Sequence, residues 1–261
     1  MYALKDILEK TAKGELTVEE AEKLVRVLAV AEVEGMARID FKREDRKGIP
    51  EIILAENKTT ADVVEITLRM MRENGRVIVS RCSREQVQAL KKATPHDTNF
   101  EVNEKARMVM IKNKDFAVKN TGGKIGILTA GTSDIPVAEE AKVIAEEMGC
   151  NVYTSYDLGV AGIHRLLKPL KDLIRKDVDV IVVVAGREGA LCSVVAGVVN
   201  VPVIAVPTSN SYGFGEKGVS TLMAMLQSCS LGSAVVNIDA GVAAGAMATL
   251  IANRVAKFRK G

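Results

Sequence analysis

The spacing of apolar and polar positions changes character near the middle of the chain. From Lys124 onward, short apolar runs alternate with longer amphipathic stretches. Ile125–Thr129, Val152–Ser155, Val178–Val184, Val203–Val206 and Ala234–Ile238 read as strands. Ile135–Met148, Gly162–Arg175, Ala190–Val198, Val219–Gln227 and Val242–Phe258 read as the helices that follow them. Strands alternating with helices of this length predict βαβ units and a parallel sheet. Val178–Val184 is nearly all β-branched, so burial on both faces is expected. The predicted architecture is α/β: a five-stranded doubly wound parallel sheet, Rossmann- or flavodoxin-like, with right-handed crossovers.

The first part of the chain has a different rhythm. Residues 1–117 read as a smaller, irregular α+β domain, and residues 118–261 as the α/β domain. Thr17-Val-Glu-Glu20 is a capping-box signature before the helical run Ala21–Glu34. Ala37–Asp40 and Glu51–Leu54 read as short strands around the charged stretch Phe41–Lys47. Thr59 or Thr60 caps a helix reaching Glu73, which Asn74-Gly75 ends. Arg76–Ser80 reads as a strand and Glu85–Lys92 as a helix. Phe100–Val102 and Ala106–Ile111 form a predicted hairpin across Asn103-Glu104-Lys105. Asn120-Thr121-Gly122-Gly123 reads as the linker between the domains.

Composition narrows the function classes. Hydrophobic residues make up 48% and aromatics only 3%, so the core rests on Val, Ile, Leu, Ala and Met. The net charge is +3 and the basic residues are scattered. Nucleic-acid binding asks for a basic stripe with stacking aromatics, and none is visible. The apolar runs are too short to span a membrane, and Asp6, Glu9 and Lys10 interrupt any apolar leader. A cytoplasmic, reduced protein is expected, with Cys82, Cys150, Cys192 and Cys229 as thiols. No His/Cys cluster has metal-ligand spacing, so neither a protein-held metal nor a tightly bound cofactor is expected.

Ligands of doubly wound sheets sit at the carboxyl ends of the strands, near the point where strand order reverses. Five loops qualify: Ala130–Asp134, Tyr156–Ala161, Ala185–Gly189, Pro207–Gly215 and Asp239–Gly241. In the first, Gly131 allows a sharp turn. Thr132 and Ser133 offer hydroxyls and amides at a helix N-terminus, where the dipole favours phosphate. Asp134 either caps that helix or binds a ribose hydroxyl. The loop is neither G-x-G-x-x-G nor a P-loop. In the third loop, Arg187 and Glu188 either serve a ligand or pair on the rim. The fourth loop, small and polar with Ser209 in it, reads as a ligand cover. Cys229 follows a helix beside Ser228 and Ser230. Its position alone favours an inert thiol. Cys150 and Cys192 read as core, the role of Cys82 is open, and His96 and His164 read as structural.

The stretch Gly126-Ile-Leu-Thr-Ala-Gly-Thr-Ser-Asp134-Ile-Pro-Val-Ala-Glu-Glu-Ala141 resembles the aminoimidazole ribonucleotide carboxylase family, where such a loop binds the ribonucleotide. Two histidines of that family have no counterpart: Ala190 stands at one place, and Tyr156–Ala161 holds none. The related pyridinium-3,5-biscarboxylic acid mononucleotide synthase family is a closer resemblance, covering almost the whole chain. Its marks look like Asp40-x-x-Arg43-x-x-Arg46-x-Gly48-x-Pro50-Glu51, Lys58-Thr59, Thr129–Asp134, Asp157-Leu-Gly-Val-Ala-Gly162, Glu188-Gly-Ala190 and Ser228-Cys229.

This resemblance implies carboxylation of nicotinic acid adenine dinucleotide at pyridinium C5, with carbon dioxide or bicarbonate as co-substrate, and release of AMP by phosphoanhydride hydrolysis. The product would feed nickel-pincer cofactor synthesis. A cysteine nucleophile is implied, mapping onto Cys229, and a homo-oligomer with an octamer as the candidate size. Glu188 is the candidate base, a role that asks for partial burial. Gly131, Thr132, Ser133, Asp134, Asp157 and Ser209 are candidate substrate contacts. Arg187 would offset anionic charge, with Lys217 a weaker candidate, and magnesium is an optional aid to hydrolysis. Two competing expectations are a carboxylase or mutase of aminoimidazole ribonucleotide and a non-catalytic nucleotide-binding module.

Overall fold

The computed structural model describes residues 4–31 and 43–259. The expected strand Ala37–Asp40 lies outside the described residues, as does the end of the helical run beyond residue 31. The chain forms two compact units, Met1–Ile52 and Ile53–Gly261.

The first unit holds helices α1 (Leu4–Ala12), α2 (Val18–Ala31) and α3 (Arg43–Lys47). The expected capping box opens α2: Glu20 accepts from the Thr17 amide at 2.9 Å, and the Thr17 hydroxyl accepts from the Glu20 amide at 3.2 Å. Helix α1 is absent from the sequence reading. Its signal is present, because Leu4, Ile7 and Leu8 follow helical spacing and Ile7 is buried.

The second unit contains two sheets. One has the order β1-β2-β4-β3, built from Ile52–Leu54 (β1), Arg76–Ser80 (β2), Thr98–Asn103 (β3) and Met108–Asn113 (β4). The expected hairpin is β3-β4, paired antiparallel, and β2 pairs antiparallel with β4. Helices α4 (Thr60–Asn74) and α5 (Arg84–Ala93) accompany it. The Thr59 hydroxyl caps α4, and Gly75 ends it in the left-handed region at φ 65°.

The other sheet is the predicted one. Its strands are β5 (Lys124–Thr129), β6 (Asn151–Ser155), β7 (Val180–Ala185), β8 (Val203–Pro207) and β9 (Ser233–Val235), in the order β6-β5-β7-β8-β9, and every pair is parallel. That is the flavodoxin-like order, with the reversal between β5 and β7. Strand β7 is buried along its whole length, as its composition predicts. One face is covered by α7 (His164–Arg175), α8 (Ala190–Ala196) and α9 (Val219–Leu226), through Leu166, Leu170, Leu191, Val195 and Met225. The other is covered by α6 (Ile135–Glu147) and α10 (Gly241–Arg259) through alanines.

The α6–α10 contact is unusually close. A Cβ on Gly245 would lie 2.6 Å from the Ala141 carbonyl oxygen and 2.8 Å from its Cα. In an open helix, alanine for glycine stabilises by about 1 kcal/mol. Here the opposing wall is backbone and cannot yield cheaply. Gly245→Ala should therefore destabilise the fold by about 1–3 kcal/mol, read as a lower urea midpoint. A stabilised variant would show that the helices can slide apart at no cost.

The expected linker is tied down. The Thr121 hydroxyl donates to the Asn253 side-chain oxygen at 2.6 Å, and the Thr121 amide donates to the Gly149 carbonyl at 2.9 Å. The two sheets are joined by buried charge. Lys112 on β4 reaches Glu147 at the end of α6 at 2.7 Å, and Arg76 on β2 donates to the Glu147 carbonyl. Asn103 on β3 donates to Glu139 at 2.7 Å.

Candidate active site

The five loops named from the sequence do lie at the carboxyl ends of the parallel strands, and the structure separates them into two groups. The first group gathers around Asp134. A single helical turn, Thr132–Asp134, carries Asp134 inward, where it is buried. One carboxylate oxygen accepts from the Gly131 amide at 2.9 Å. The other accepts from the Thr208 hydroxyl at 2.7 Å and faces the Asn210 amide at 3.4 Å. Asn210 also donates to the Ser133 carbonyl at 2.7 Å. Asp134 thus ties the loop after β5 to the loop after β8. Both its oxygens are occupied by the protein, so it shapes the crevice. Thr132 and Ser133 remain exposed at its rim.

Gly186 closes the crevice floor. A Cβ there would sit 2.8 Å from Thr208 Oγ1 and 3.4 Å from Asp134 Oδ1. Only a residue without a side chain lets the loop after β7 approach these two groups. Ser209 is exposed, and its amide donates to Asp239 at 2.9 Å. Asp157 lies in the loop after β6. Its amide donates to Thr129 at 3.1 Å, and its carboxylate pairs with Arg165 at 2.6 Å in a half-exposed position.

The second group lies on the α8–α9 side. Arg187 has φ 56° and stacks on Tyr212, in the loop after β8, at 4.1 Å. Its amide donates to Ser211 at 2.8 Å, and its carbonyl accepts from the buried Thr221 hydroxyl. Glu188 is exposed, so the single chain does not supply the partial burial asked of it as a base. Cys229 is exposed as well, whereas Cys82, Cys150 and Cys192 are buried. The buried environment usual for an inert thiol is therefore absent at Cys229. Its neighbours pin it: Ser228 Oγ lies 2.8 Å from Ser193 Oγ, and the Ser230 hydroxyl donates to the Ser193 carbonyl at 2.7 Å. Ser193 is one turn into α8, about 5 Å along the helix from its start beside Glu188. Cys229 and Glu188 therefore share one flank of the domain.

The loop between β8 and α9 is held in an uncommon form. Glu216 and Lys217 both lie in the left-handed region, at φ 40° and 53°. Two successive non-glycine residues there cost about 1–2 kcal/mol each, so the surrounding contacts must fix them. Lys217 is exposed.

The histidines stand apart from both groups. His164 is exposed at the first position of α7, and His96 is exposed before β3. Among the described residues, no group of three or more His, Cys, Asp or Glu side chains is able to hold a metal ion. No helix among the described residues is long and apolar enough to cross a membrane.

A cleft of about 250 Å³ adjoins the crevice, between the loops of the first sheet and those of the second. Ser133, Ser209 and Asn210 line one wall, and Arg81, Lys105 and Arg107 another. The sequence reading names Ser133 and Ser209 but misses Asn210, Thr208 and the three cations. Thr208 and Asn210 had a signal, since polar residues directly follow a buried strand. The cations had none, because they come from a different sheet.

Comparison with known proteins follows the same division. A family model described as AIR carboxylase matches residues 124–259, more than half of the chain. A model described as the LarB/PurE-like N-terminal domain matches residues 31–114. An uncharacterized protein of Methanocaldococcus jannaschii is 44% identical over 253 residues, covering 95% of this chain and 96% of its own. N5-carboxyaminoimidazole ribonucleotide mutase of Thermotoga maritima is 25% identical over 147 residues, covering 52% of this chain and 84% of its own. The Pyrococcus abyssi mutase of the same name is 29% identical over 108 residues, 40% of this chain and 58% of its own.

Proposed function

The chain belongs to the AIR carboxylase family, and on that premise we propose that it carboxylates nicotinic acid adenine dinucleotide at pyridinium C5 and releases AMP. The observation that carries this reading is the state of the thiols: Cys229 is the one exposed cysteine, on the same flank as Glu188. The family matches support a carboxylase-type function, and the thiol supports this particular substrate.

A pyridinium ring is too electron-poor to attack carbon dioxide. Addition of the Cys229 thiolate at C6 forms a C–S bond and turns the ring into a neutral dienamine. C5 then attacks carbon dioxide, forming the new C–C bond and returning the positive charge to the ring. Glu188 takes the C5 proton, the electron pair forms the C5–C6 double bond, and the thiolate leaves. Aromaticity returns, and the net change is a proton exchanged for a carboxylate. Water then cleaves the phosphoanhydride to give AMP and pyridinium-3,5-biscarboxylic acid mononucleotide. Thr132 and Ser133 would offer amides and hydroxyls to the phosphoribosyl group, Gly131 would let it approach the backbone while Asp134 holds the loop, and Arg187 would balance carboxylate charge.

Both Cys229 and Glu188 face solvent in a single chain, whereas this chemistry profits from exclusion of water. Phe214, Leu231, Tyr212 and Leu226 are also exposed on the segments around Cys229. A homo-oligomer, with an octamer as the candidate size, would cover them and bury Glu188.

Similarity to the N5-carboxyaminoimidazole ribonucleotide mutases favours a second reading, turnover of an aminoimidazole ribonucleotide. One incubation separates the two. With nicotinic acid adenine dinucleotide and bicarbonate, mass spectrometry should find AMP together with a dicarboxylated mononucleotide. AMP without the dicarboxylated product, or turnover of aminoimidazole ribonucleotide alone, would reject the proposal.

A further inference from the structure

The cleft beside the crevice has the chemistry of a nucleotide subsite that none of the five strand-end loops accounts for alone. On one wall stand Lys105, in the turn between β3 and β4, and Arg107, just before β4. Lys105 is exposed and has no ion-pair partner among the described residues. Arg107 is fixed by its own bonds, to the Cys82 carbonyl at 3.1 Å and the Arg81 carbonyl at 3.3 Å. Arg81 spans the cleft to Glu56 at 3.2 Å, Glu140 at 3.4 Å and the Asp239 carbonyl at 2.7 Å. Glu140 is buried and lines the cleft, with one carboxylate oxygen on Arg81 and the carboxylate also held by the Val242 backbone at the start of α10. Burial pushes its pKa up, with Arg81 holding it back.

Three cations face three carboxylates, Glu56, Glu140 and Asp239, so the cleft suits neither a bare cation nor a polyanion. It suits a ligand that combines a phosphate with hydroxyls. Its small apolar lining, Ala106, Pro136 and Val137, would meet the edge of a base. At about 250 Å³ it falls below the roughly 300–1,000 Å³ usual for a complete ligand, so it takes part of a larger molecule. Ser133 belongs to both the cleft and the first strand-end loop, so the cleft adjoins that loop.

We propose that this cleft binds a nucleoside 5′-phosphate, the adenylate half of the dinucleotide, with Lys105 on the phosphate and the Ser133–Ser209–Asn210 wall facing the ribose hydroxyls. The identity of the nucleoside rests on the function proposed above; the nucleotide site rests on the cleft itself.

Titration calorimetry of the full chain with AMP tests it. AMP should bind the wild type, and Lys105→Glu should weaken binding at least tenfold, with Lys105→Arg restoring most of it. Adenosine should bind more weakly than AMP in the wild type and equally to wild type and Lys105→Glu. Saturating nicotinic acid mononucleotide should leave AMP binding in place. The proposal is overturned by AMP affinity that ignores the charge at residue 105, by displacement of AMP by the mononucleotide, or by no AMP binding at millimolar concentration. Failure of the dinucleotide carboxylation assay alongside Lys105-dependent AMP binding would reject the substrate assignment and leave the cleft as a nucleotide site. Carboxylation without Lys105-dependent AMP binding would do the reverse.

Discussion

On the proposed mechanism, replacing Cys229 with alanine is expected to lower carboxylation of nicotinic acid adenine dinucleotide at least about 10³-fold, because that mechanism assigns to the thiol the step that turns the ring into a nucleophile. Binding should survive, since the thiol forms its bond only after the substrate is seated. Stability should survive as well, because the side chain is exposed and substitutions at such sites are usually within about 0.5 kcal/mol. The loss should therefore fall on kcat, with the melting temperature unchanged. Alkylation offers a parallel readout. Burial pushes the thiols of Cys82 and Cys150 up to about 11 and that of Cys192 up to about 12. At pH 8 a thiol at 11 is only about 0.1% thiolate, the reactive form, so iodoacetamide should mark Cys229 first and abolish carboxylation as it does so. A near wild-type rate in Cys229→Ala would end the covalent mechanism.

Replacing Glu147 with alanine is expected to cost about 3–5 kcal/mol of folding stability, because Arg76 and Lys112 lose the buried carboxylate on which they converge and Lys112 is left to the exposed Glu101. Lys112 and Arg76 converge on Glu147, and the three side chains are 11%, 4% and 8% exposed. Burial opposes the Lys112 charge, yet Glu147 and Glu101 hold its pKa above the usual lysine value. This contribution is present below the ordinary lysine pKa and is lost as pH climbs through the raised one. In a chain of this size the loss corresponds to roughly 6–20 °C in melting temperature by calorimetry. Adding Lys112→Met and using leucine at 147 should recover much of it, because Arg76 keeps its bond to the residue 147 carbonyl. A shift below about 2 °C in the single variant would mean that water already reaches these cations.

The repeating sheet was readable because each of its strands writes its own signal. Val180–Ala185 is apolar on both faces and needs no partner to be recognised. Strand ends drifted by a residue or two where polar and apolar positions mix: β9 covers Ser233–Val235, whereas the apolar run continues to Ile238. Helix α1 is hard to see in sequence because it is nine residues long and its apolar face, Leu4, Ile7 and Leu8, is interleaved with Asp6, Glu9 and Lys10. In the site, the loops were legible and their internal geometry was not. That Asp134 would spend both oxygens on Gly131 and Thr208 depends on contacts across 74 residues of chain. That Arg187 would turn onto Tyr212 depends on a left-handed backbone angle that no neighbour in sequence announces. The cleft cations were out of reach for the same reason, since Arg81 meets the Asp239 carbonyl 158 residues away.

The alanine-and-glycine seam between α6 and α10 also has a consequence for synthesis. Helix α10 follows every other element described, and it covers the sheet face formed by Ile127, Val182, Ile204 and Val206. At ribosomal speeds of about 5–20 residues per second, that face waits roughly several seconds between the making of Val206 and of Ala252. During this interval β5, β7 and β8 present an uncovered aliphatic surface that only α6 partly shields. The nascent chain is then at its most adhesive, and a trigger-type chaperone has a defined window and a defined face on which to act.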